Sequence, residues 1–571
     1  MRTKQDRLRV LKSVLGDECG DGALQEVALA ATPTRESVSL ATGAGGMAAT
    51  GAGSGAGTGV PGSAASGGTA AAGGGSGSVK SDPPRPGGVV GGGVPRLRSG
   101  RPALPAGPRR VEGGSGAAPG RLVSLDAFRG FIMMMLAAGG FGILKFSRLP
   151  EDAPVWAVAD RTVWQQLGFH FDHPAWLSVF DSWKVAFWDL IQPAFMFMVG
   201  VAMPFSYANR RARGSGWFSM SAHALMRALV LVLLGVFLSS LGKPKTNWVF
   251  PNVLCQIGLG YYFVWLLLNR RLAIQVGAII LILCGYWAWF RFSPPAADYD
   301  YAAVNADEAK GEVFKGAWSG WSKNANAAYR VDDWLLRRLR SAELPAEGAG
   351  AVEVAEAAEA AEGAEGAGAV IVEAERGGWW SAIFGNPEPY VPNAGGYTTL
   401  NFVPSMATTL LGVLCGQWLL STTLSGWEKL LRLLVLGGLC LGLGILANAT
   451  ICPAVKRIWT PSWALVSSGY VIGMLIVFYV LFDLLPLRWL AFPLVVVGSN
   501  SILIYLLGQT LNGWVREQLI RVHLSGVIGQ LFGPRVLDEQ WYAALALPTT
   551  IFLIYWLLLL WLYRQRIFLR I

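Results

Sequence analysis

Long apolar stretches recur along most of this chain and leave few folds open to it. Ten of them approach the roughly 20 residues that an α-helix needs to cross a bilayer. They lie at about 125–146, 186–207, 222–241, 252–268, 272–291, 402–421, 429–449, 463–484, 488–508 and 543–563. Hydrophobic residues make up 53% of the 571 residues and charged residues 15%, which excludes an ordinary soluble protein. We predict an all-α fold, a polytopic transmembrane helical bundle of about ten spans.

Composition divides the chain into two parts. Residues 1–120 are rich in Gly, Ala, Ser and Pro, which bury too little apolar surface to offset chain entropy, so we expect a disordered N-terminal tail. Residues 121–571 form the predicted transmembrane domain. It includes a loop insert at about 292–401, whose Glu-rich middle, Ala342–Glu375, has no Lys or Arg. We interpret this insert as a solvated exoplasmic segment without chemistry of its own.

Arginine and lysine residues near the ends of the spans predict the orientation. With ten spans most of them fall on one side, which should be cytoplasmic: Arg109, Arg110, Arg121, Arg210, Arg211, Arg213, Arg270, Arg271, Arg564, Arg566 and Arg570. Four cations fall on the opposite side: Lys243, Lys245, Lys456 and Arg457. We expect a multi-pass integral membrane protein with both termini in the cytoplasm and the loop around His173 outside.

Charge and motif patterns exclude several functions. The formal net charge is +10, but no Lys/Arg-rich stretch alternates with aromatic residues, so we expect no nucleic-acid partner. The six cysteines are scattered singly, and no Cys/His cluster predicts a metal site. The chain also lacks a P-loop, a His-Glu-x-x-His motif and a Gly-x-Ser-x-Gly motif, which argues against an ATPase, a zinc protease and an α/β-hydrolase.

Ionisable residues in and between the first two spans are candidate site residues, because charge at membrane depth is costly and commonly functional. His173, in the connecting loop, could take a proton from an amine or be acetylated itself, although a lone loop histidine is also often structural. His170, three residues away, is the second candidate for the same role. Asp189 could orient the His173 ring or simply stabilise a helix N-terminus.

Further polar residues lie within the apolar stretches. Asp126 and Arg129, three residues apart in the first span, share one helical face. They form either an ion pair that stabilises the bundle or, through Arg129, a binding site for a phosphate group. Amide and hydroxyl groups also interrupt the spans: Asn252, Gln256, Asn500 and Ser501. These groups require hydrogen-bond partners, which are either other helices or a bound substrate.

Six motifs follow one another between residues 121 and 565. SLDAFRG begins the first span, and FDHPAW with DLIQPAFMFMVG leads into the second. The later motifs are PNVLCQIGLGYYFV, SMATTLLGVLCGQWL, IWTPSWALVSSGY and GSNSILIYLLGQ. In sequence and order they resemble the motifs of the heparan-α-glucosaminide N-acetyltransferase family and its bacterial relatives. The resemblance leaves out the Glu-rich insert.

Members of that family transfer an acetyl group from cytoplasmic acetyl-CoA to a terminal glucosamine amine across the membrane. The resemblance therefore implies a transmembrane acyltransferase that uses acetyl-CoA and no metal and acetylates an exoplasmic amino sugar or glycan. It implies that His173 is the catalytic histidine. The other predicted site residues are Asp189 for catalysis, Arg129 and Asp126 for the donor, and Asn252, Asn401 and Asn500 for the acceptor.

One position departs from the family pattern. Where vertebrate members have Asn-Tyr-Gly-Gly at the end of the first span, this chain has GGFG at 139–142, so Gly140 replaces an active-site amide. Either Asn401 or Asn252 supplies that amide, or the chemistry has changed or been lost. An inactive membrane scaffold of the same fold is therefore one alternative. A secondary transporter is the other, because polar and broken spans such as 488–508 are also typical of a carrier's binding site. As partners we expect the acceptor, the lipid bilayer and a second copy of the chain in a homodimer.

Overall fold

Helices make up nearly all of the regular structure in this protein. The computed structural model describes residues 122–174, 176–340, 384, 391–485 and 487–569. The predicted tail at 1–120 and the Glu-rich segment Ala342–Glu375 lie outside these residues. Across the described residues no β-strand forms, apart from one isolated bridge between Phe180 and Lys184. The all-α prediction is therefore confirmed for this part of the chain.

We number the main α-helices of the described residues in chain order. They are α1 Val123–Ala137, α2 Ile143–Ser147, α3 Arg161–His170, α4 Phe187–Ala212, α5 Trp217–Ser239, α6 Val253–Leu267, α7 Leu272–Arg291, α8 Ala327–Arg340, α9 Phe402–Leu420, α10 Gly426–Thr450, α11 Pro461–Tyr479, α12 Phe492–Ser499, α13 Ser501–Thr510, α14 Ser525–Phe532 and α15 Ala543–Arg564. Two π-helices extend them: Val480–Leu484 continues α11, and Val515–Leu524 precedes α14.

Every apolar stretch that the sequence predicts to span the membrane forms a helix, but these helices differ in length. Seven are long and apolar enough to cross a bilayer: α4, α5, α7, α10, α15, and the segments Thr399–Leu420 and Pro461–Leu484, which contain α9 and α11. Two further candidates are bent pairs, α1 with Gly139–Ser147 and Arg488–Ser499 with α13. Helix α6 has only 15 residues. The described residues thus contain seven to nine candidate spans, and the count of about ten stays a prediction.

Helices α4 and α9 form the centre of the bundle. In each, 72% of the most apolar window is buried, against 28% in α5, α10 and α15, whose outer faces therefore meet lipid. Glycines allow the central pair to touch through their backbones. A Cβ on Gly200 of α4 would lie 2.0 Å from the Thr409 carbonyl oxygen. A Cβ on Gly412 of α9 would lie 2.2 Å from that of Phe197.

Helices α1 and α12 make a second contact of this kind. A Cβ on Gly130 would lie 1.8 Å from the carbonyl oxygen of Leu494, and one on Gly498 would lie 2.0 Å from that of Asp126. Each helix therefore places a glycine against the backbone of the other. This contact brings the Asp126 end of α1 beside the break between α12 and α13.

The first span bends by 49° where the GGFG run lies. Gly139, Gly140, Phe141 and Gly142 all have positive φ, between 52° and 71°. Glycine adopts this left-handed conformation readily, whereas other L-residues are disfavoured there. The bend brings the chain so close to α15 that a Cβ on Gly142 would lie 1.8 Å from the Ala544 carbonyl oxygen. The left-handed bend and its close contact with α15 therefore explain why glycines occupy positions 139, 140 and 142, which the sequence alone did not show.

The ninth predicted span bends by 65° at Asn500, which the sequence identified as an interruption. The Asn500 Nδ2 donates to the Ile567 carbonyl oxygen at 3.0 Å, and its Oδ1 accepts from the Leu569 backbone N–H at 2.8 Å. The buried amide thus binds the C-terminal segment after α15, which satisfies its hydrogen bonds within the protein.

Gly142→Ala should destabilise the protein more than Gly139→Ala. Both changes impose a left-handed alanine, at roughly 1–2 kcal/mol, and Gly142→Ala adds a clash with α15 for a total of roughly 2–5 kcal/mol. No atom lies within 4 Å of a Cβ built on Gly139, which makes it the matched control. Thermal unfolding in detergent measures both effects. Equal shifts of the two variants would contradict the close approach of the GGFG run to α15.

Candidate active site

His173, Asp189 and Lys456, from distant parts of the chain, meet at one end of the bundle. His173 lies in the loop 171–186, here called the histidine loop, Asp189 in the first turn of α4, and Lys456 between α10 and α11. The Asp189 Oδ1 lies 2.8 Å from His173 Nδ1 and 3.0 Å from Lys456 Nζ. The Lys456 Nζ lies 3.4 Å from His173 Nδ1. With an ionised carboxylate as acceptor, Nδ1 carries the proton of the neutral ring, and Nε2 is its acceptor nitrogen.

The carboxylate and the ammonium of this cluster are almost completely buried. The side chains of Asp189 and Lys456 are each 4% exposed, whereas that of His173 is 44% exposed. Burial by itself lowers the pKa of an ammonium, but the nearby Asp189 carboxylate outweighs it and raises the pKa of Lys456 above its usual value. Lys456 therefore stays protonated and neutralises the charge of Asp189.

Sequence reasoning predicted the partnership of His173 and Asp189 as one of two alternatives and missed Lys456. It treated Lys456 only as a cation on the side opposite to most others. The structure explains why this lysine lies on the side where cations are scarce: its side chain is buried inside the protein and pairs with Asp189. A lysine in a short link between two apolar spans, on the side where cations are scarce, is the signal that could have identified it.

Backbone contacts hold the histidine loop against the link that carries Lys456. The Ser178 backbone N–H donates to the Ala454 carbonyl oxygen at 2.9 Å, and the Lys456 backbone N–H donates to Ser178 Oγ at 3.0 Å. The Arg457 guanidinium donates to the Pro174 carbonyl oxygen at 3.0 Å. His173 and Lys456 therefore keep a fixed separation.

A second segment, 391–401, closes over the same link and is called the cover segment here. The Arg457 guanidinium donates to the Gly395 carbonyl oxygen at 3.1 Å and lies 5.9 Å from the centre of the Tyr397 ring. Asn401 Nδ2 donates to the Arg457 carbonyl oxygen at 2.6 Å. Arg457 thus connects the histidine loop to the cover segment.

His173 and Lys456 line a cavity of about 420 Å³, the outer cavity. Its polar wall consists mostly of side-chain amides: Gln192, Asn247, Asn252, Asn393 and Gln509. Its other wall is apolar and aromatic: Met133, Leu136, Trp188, Ile191, Phe195, Tyr397 and Tyr505. Amides beside aromatic rings are groups that bind sugar hydroxyls and sugar faces.

A second cavity, of about 400 Å³, lies at the opposite end of α1 and α4 and is called the inner cavity. Its lining includes four arginines: Arg129, Arg210, Arg213 and Arg227. Asp126 is the one carboxylate among the described residues that line it, and its Oδ1 lies 3.9 Å from an Arg129 nitrogen. This excess of guanidinium groups fits a polyanion such as a nucleotide phosphate.

Phe195 lines both cavities. It lies on the central helix α4, and its ring stacks on Tyr505 with 6.5 Å between ring centres. These two rings, called the aromatic layer here, therefore form part of the boundary between the cation-rich inner cavity and the outer cavity beside His173.

The structure brings some of the other predicted residues to this site and leaves others apart. Asn252 lines the outer cavity, and its Oδ1 also accepts from the Leu254 backbone N–H at 2.9 Å as the cap of α6. Asn401 is buried and donates to the Arg457 carbonyl oxygen, and it is not among the residues that line the outer cavity. Asn500 binds the C-terminal segment and His170 is exposed at the end of α3, so neither contacts His173.

The position that departs from the family pattern is filled by neighbouring rings. A Cβ on Gly140 would lie 2.5 Å from Cδ1 of Phe171 and 3.2 Å from Cζ3 of Trp188. An amide at position 140 would have to displace these rings. Of the two substitutes that the sequence suggested, Asn252 is the one that lines the outer cavity.

Comparison with known proteins supports a distant relationship. No protein-family model matches the chain. The chain is 22% identical over 424 residues to heparan-alpha-glucosaminide N-acetyltransferase of Homo sapiens, a match that covers 68% of this chain and 53% of that protein. The chain thus spans about half the length of the curated relative it matches. The relative's name and the apolar helices together support an integral membrane protein distantly related to a transferase.

Removal of one member of the Asp189–Lys456 pair should destabilise the protein more than removal of both. Asp189→Asn or Lys456→Met leaves a buried charge without its partner, which costs roughly 3–5 kcal/mol. The double variant leaves neither charge, so its unfolding temperature in detergent should recover much of the loss. The exposed pair Asp181–Lys184, at 2.9 Å, is the control and should show little coupling. Additive effects at Asp189 and Lys456 would contradict the buried pair.

Proposed function

We propose that this protein is a transmembrane acyltransferase that moves an acetyl group from acetyl-CoA to an amine on the opposite side of the membrane. The observation that carries the proposal is the contact between His173 and the Asp189–Lys456 pair in the outer cavity. A cation-rich cavity behind Phe195, at the other end of α4, supports it. The distant similarity to an N-acetyltransferase supports the reaction class.

The reaction forms a C–N bond and breaks a C–S bond. The acceptor amine arrives as an ammonium and must lose a proton before its nitrogen attacks the thioester carbonyl. His173 Nε2 takes this proton while Asp189 accepts the Nδ1–H. A second proton passes from the nitrogen to the departing CoA sulfur, and His173 returns its proton to water, so one proton is released per transfer. In the alternative route Nε2 attacks the thioester carbonyl and the C–S bond breaks, which releases a CoA thiolate that takes one proton from the acceptor ammonium. The free amine then attacks the acetyl-imidazole, the bond between the acetyl carbon and the ring breaks, and one proton is released to water.

Lys456 acts on this chemistry through charge. Together with a neutral His173 ring, the Asp189 carboxylate and the Lys456 ammonium have no net charge. The ammonium lies 3.0 Å from the Asp189 Oδ1, so the carboxylate can accept the Nδ1–H of His173 without leaving an uncompensated buried charge. We infer that Lys456 is a positioning residue: it holds the carboxylate in place, and the carboxylate orients the ring.

The inner cavity is the proposed donor site. CoA carries several phosphate charges, and guanidinium groups bind phosphate in bidentate fashion. Arg129, held by Asp126, and Arg227 would bind the nucleotide part, and the narrow acetylated arm would pass Phe195 to reach His173. Neutral amides of the outer cavity, Asn252 among them, would bind the acceptor.

The proposal also includes the orientation of the two cavities relative to the faces of the membrane. If each bent helix pair and the short helix α6 cross the membrane once, the chain crosses ten times and its described ends lie on one side. The arginines at 210–213, 270–271, 564 and 566 then share that side, which the positive-inside rule assigns to the cytoplasm. The inner cavity would open there, where acetyl-CoA is made, and His173 would lie on the exoplasmic side.

A secondary transporter is the second candidate. Two cavities at opposite ends of a bundle, separated by one aromatic layer, are also the arrangement of an alternating-access carrier. The two functions differ in chemistry, because a transporter leaves the acetyl-CoA thioester intact and does not need a base at His173.

His173→Ala should slow acetyl transfer strongly. Loss of a general base lowers the rate by roughly 10²–10⁴-fold. Purified protein is incubated with radiolabelled acetyl-CoA and a panel of amino sugars, and labelled product is counted. His170→Ala, a substitution three residues away and outside the cavity, is the matched control and should keep full activity. A rate for His173→Ala close to that of the wild type would remove this residue from the mechanism.

Charge reversal in the inner cavity should weaken the binding of acetyl-CoA. We expect the double variant R213E/R227E to raise the KM for acetyl-CoA by at least about tenfold, because a charge-assisted hydrogen bond contributes roughly 1.5–3 kcal/mol. The control is R270E/R271E, since these arginines follow α6 and do not line the cavity. An unchanged KM in the cavity variant, or an equal rise in the control, would contradict the proposed donor site.

A further inference from the structure

A third cavity, of about 570 Å³, lies beside the outer cavity and has no role in the chemistry above. Its walls come from the outer end of α1, from α2, from the first turns of α15 and from the region around the π-helix Val515–Leu524. We propose that this lateral cavity binds a phosphate-bearing membrane lipid, and that the acceptor amine is the headgroup of such a lipid. The second half of the proposal rests on the proposed acetyl transfer.

The walls of the lateral cavity are mostly apolar. Its apolar lining residues include Leu144, Leu149, Phe171, Leu547, Pro548 and Ile551. An amino sugar or a free phosphate gains little from such a surface, because both are strongly hydrated, whereas a hydrocarbon chain gains free energy in proportion to the area it buries. The cavity is therefore matched to the tail of an amphiphile.

Cations lie at one edge of this apolar cavity. Arg521 pairs with Glu539 at 3.3 Å and with Glu517 at 3.2 Å, and Arg516 pairs with Glu517 at 2.8 Å. Lys145 is exposed, lines the cavity and forms no ion pair with another described residue. Three cations against two carboxylates leave one positive charge in excess, which fits one phosphodiester.

The surroundings of the cavity favour a lipid over a soluble phosphate compound. Helix α14 follows the π-helix, and its side chains Val527, Leu531 and Phe532 are 53%, 72% and 72% exposed. Large exposed apolar side chains at the end of a membrane bundle indicate contact with the boundary between headgroups and acyl chains. A lipid can therefore enter from the side, without first leaving the membrane.

Trp188 connects this cavity to the chemistry. Its side chain lines both the lateral cavity and the outer cavity, and the next residue along α4 is Asp189. Phe171, whose ring lies 6.0 Å from that of Trp188, also lines the lateral cavity. A lipid whose phosphate binds Lys145 would extend its headgroup past Trp188 towards His173. The geometry points to a lipid-linked amino sugar as the class of acceptor.

The test compares three acceptors that share the glucosamine amine and differ only in the group attached to the sugar. Full-length protein in nanodiscs is given acetyl-CoA with glucosamine, with glucosamine 1-phosphate, or with glucosamine joined by a phosphodiester to diacylglycerol. We expect kcat/KM for the lipid-linked acceptor to exceed that for both soluble acceptors by at least about tenfold. Equal values for the lipid-linked acceptor and glucosamine 1-phosphate would overturn the proposal.

Two variants place the effect in the lateral cavity. Lys145→Glu reverses the charge at the edge and Leu547→Trp fills the apolar part, and each should lower kcat/KM about tenfold for the lipid-linked acceptor alone. The matched controls are Lys245→Glu, at another exposed lysine, and Leu557→Trp, on the exposed face of the same helix. Equal losses with soluble and lipid-linked acceptors, or losses in the controls, would overturn the site.

A binding measurement separates this proposal from the proposed reaction. Native mass spectrometry of the purified protein with phosphatidylglycerol, an anionic phosphodiester lipid, and with diacylglycerol as a reference without phosphate, should show preferential retention of phosphatidylglycerol that Lys145→Glu removes. Acetylation of none of the acceptors would refute the acetyl transfer and with it the role of the lipid as acceptor. Equal retention by the wild type and Lys145→Glu would refute the lipid site itself.

Discussion

The buried ion pair between Asp189 and Lys456 is the interaction on which the arrangement of the outer cavity depends. It joins the start of α4 to a link 267 residues further along the chain. A charge pair removed from water is tolerated only if its geometry is well fixed and its remaining hydrogen-bonding groups are satisfied. The contacts of Ser178 and Arg457 with neighbouring backbone fix the geometry of the link that carries Lys456. They also fix the position of His173, so the same requirement that stabilises the pair orients the imidazole.

Backbone-to-backbone packing creates the space around this cluster. Glycines bring α4 against α9 and α1 against α12. The helices therefore touch closely at some positions along their axes and lie further apart at others. The separations arise at two breaks, the left-handed GGFG run and the bend at Asn500. The inner cavity borders the second break, and the lateral cavity borders the first. Both breaks depend on hydrogen bonds or close contacts to the last helix and the residues after it.

Much of the architecture could be predicted from sequence because a bilayer demands long apolar stretches, and each predicted stretch forms a helix. The proximity of His173 and Asp189 could be anticipated, since the histidine loop leads directly into α4. Lys456 could not, because its partner is far away in the chain and a lysine in a link usually reports orientation. Asn500 shows the same limit. Its place in an apolar stretch indicated that its amide needs hydrogen-bond partners, but the sequence could not show that these partners lie in the C-terminal segment.

The aromatic layer at Phe195 and Tyr505 has an electrical consequence. Where aqueous cavities approach each other from both sides of a bilayer, most of the membrane voltage falls across the thin layer between them. A charged group that crosses such a layer performs work of about 2.3 kcal/mol per elementary charge for each 100 mV. In the proposed reaction an uncharged acetyl thioester would cross without this work, whereas the phosphates of its carrier would remain behind. The proposed transfer would therefore carry no charge across the layer and would leave the membrane voltage undisturbed.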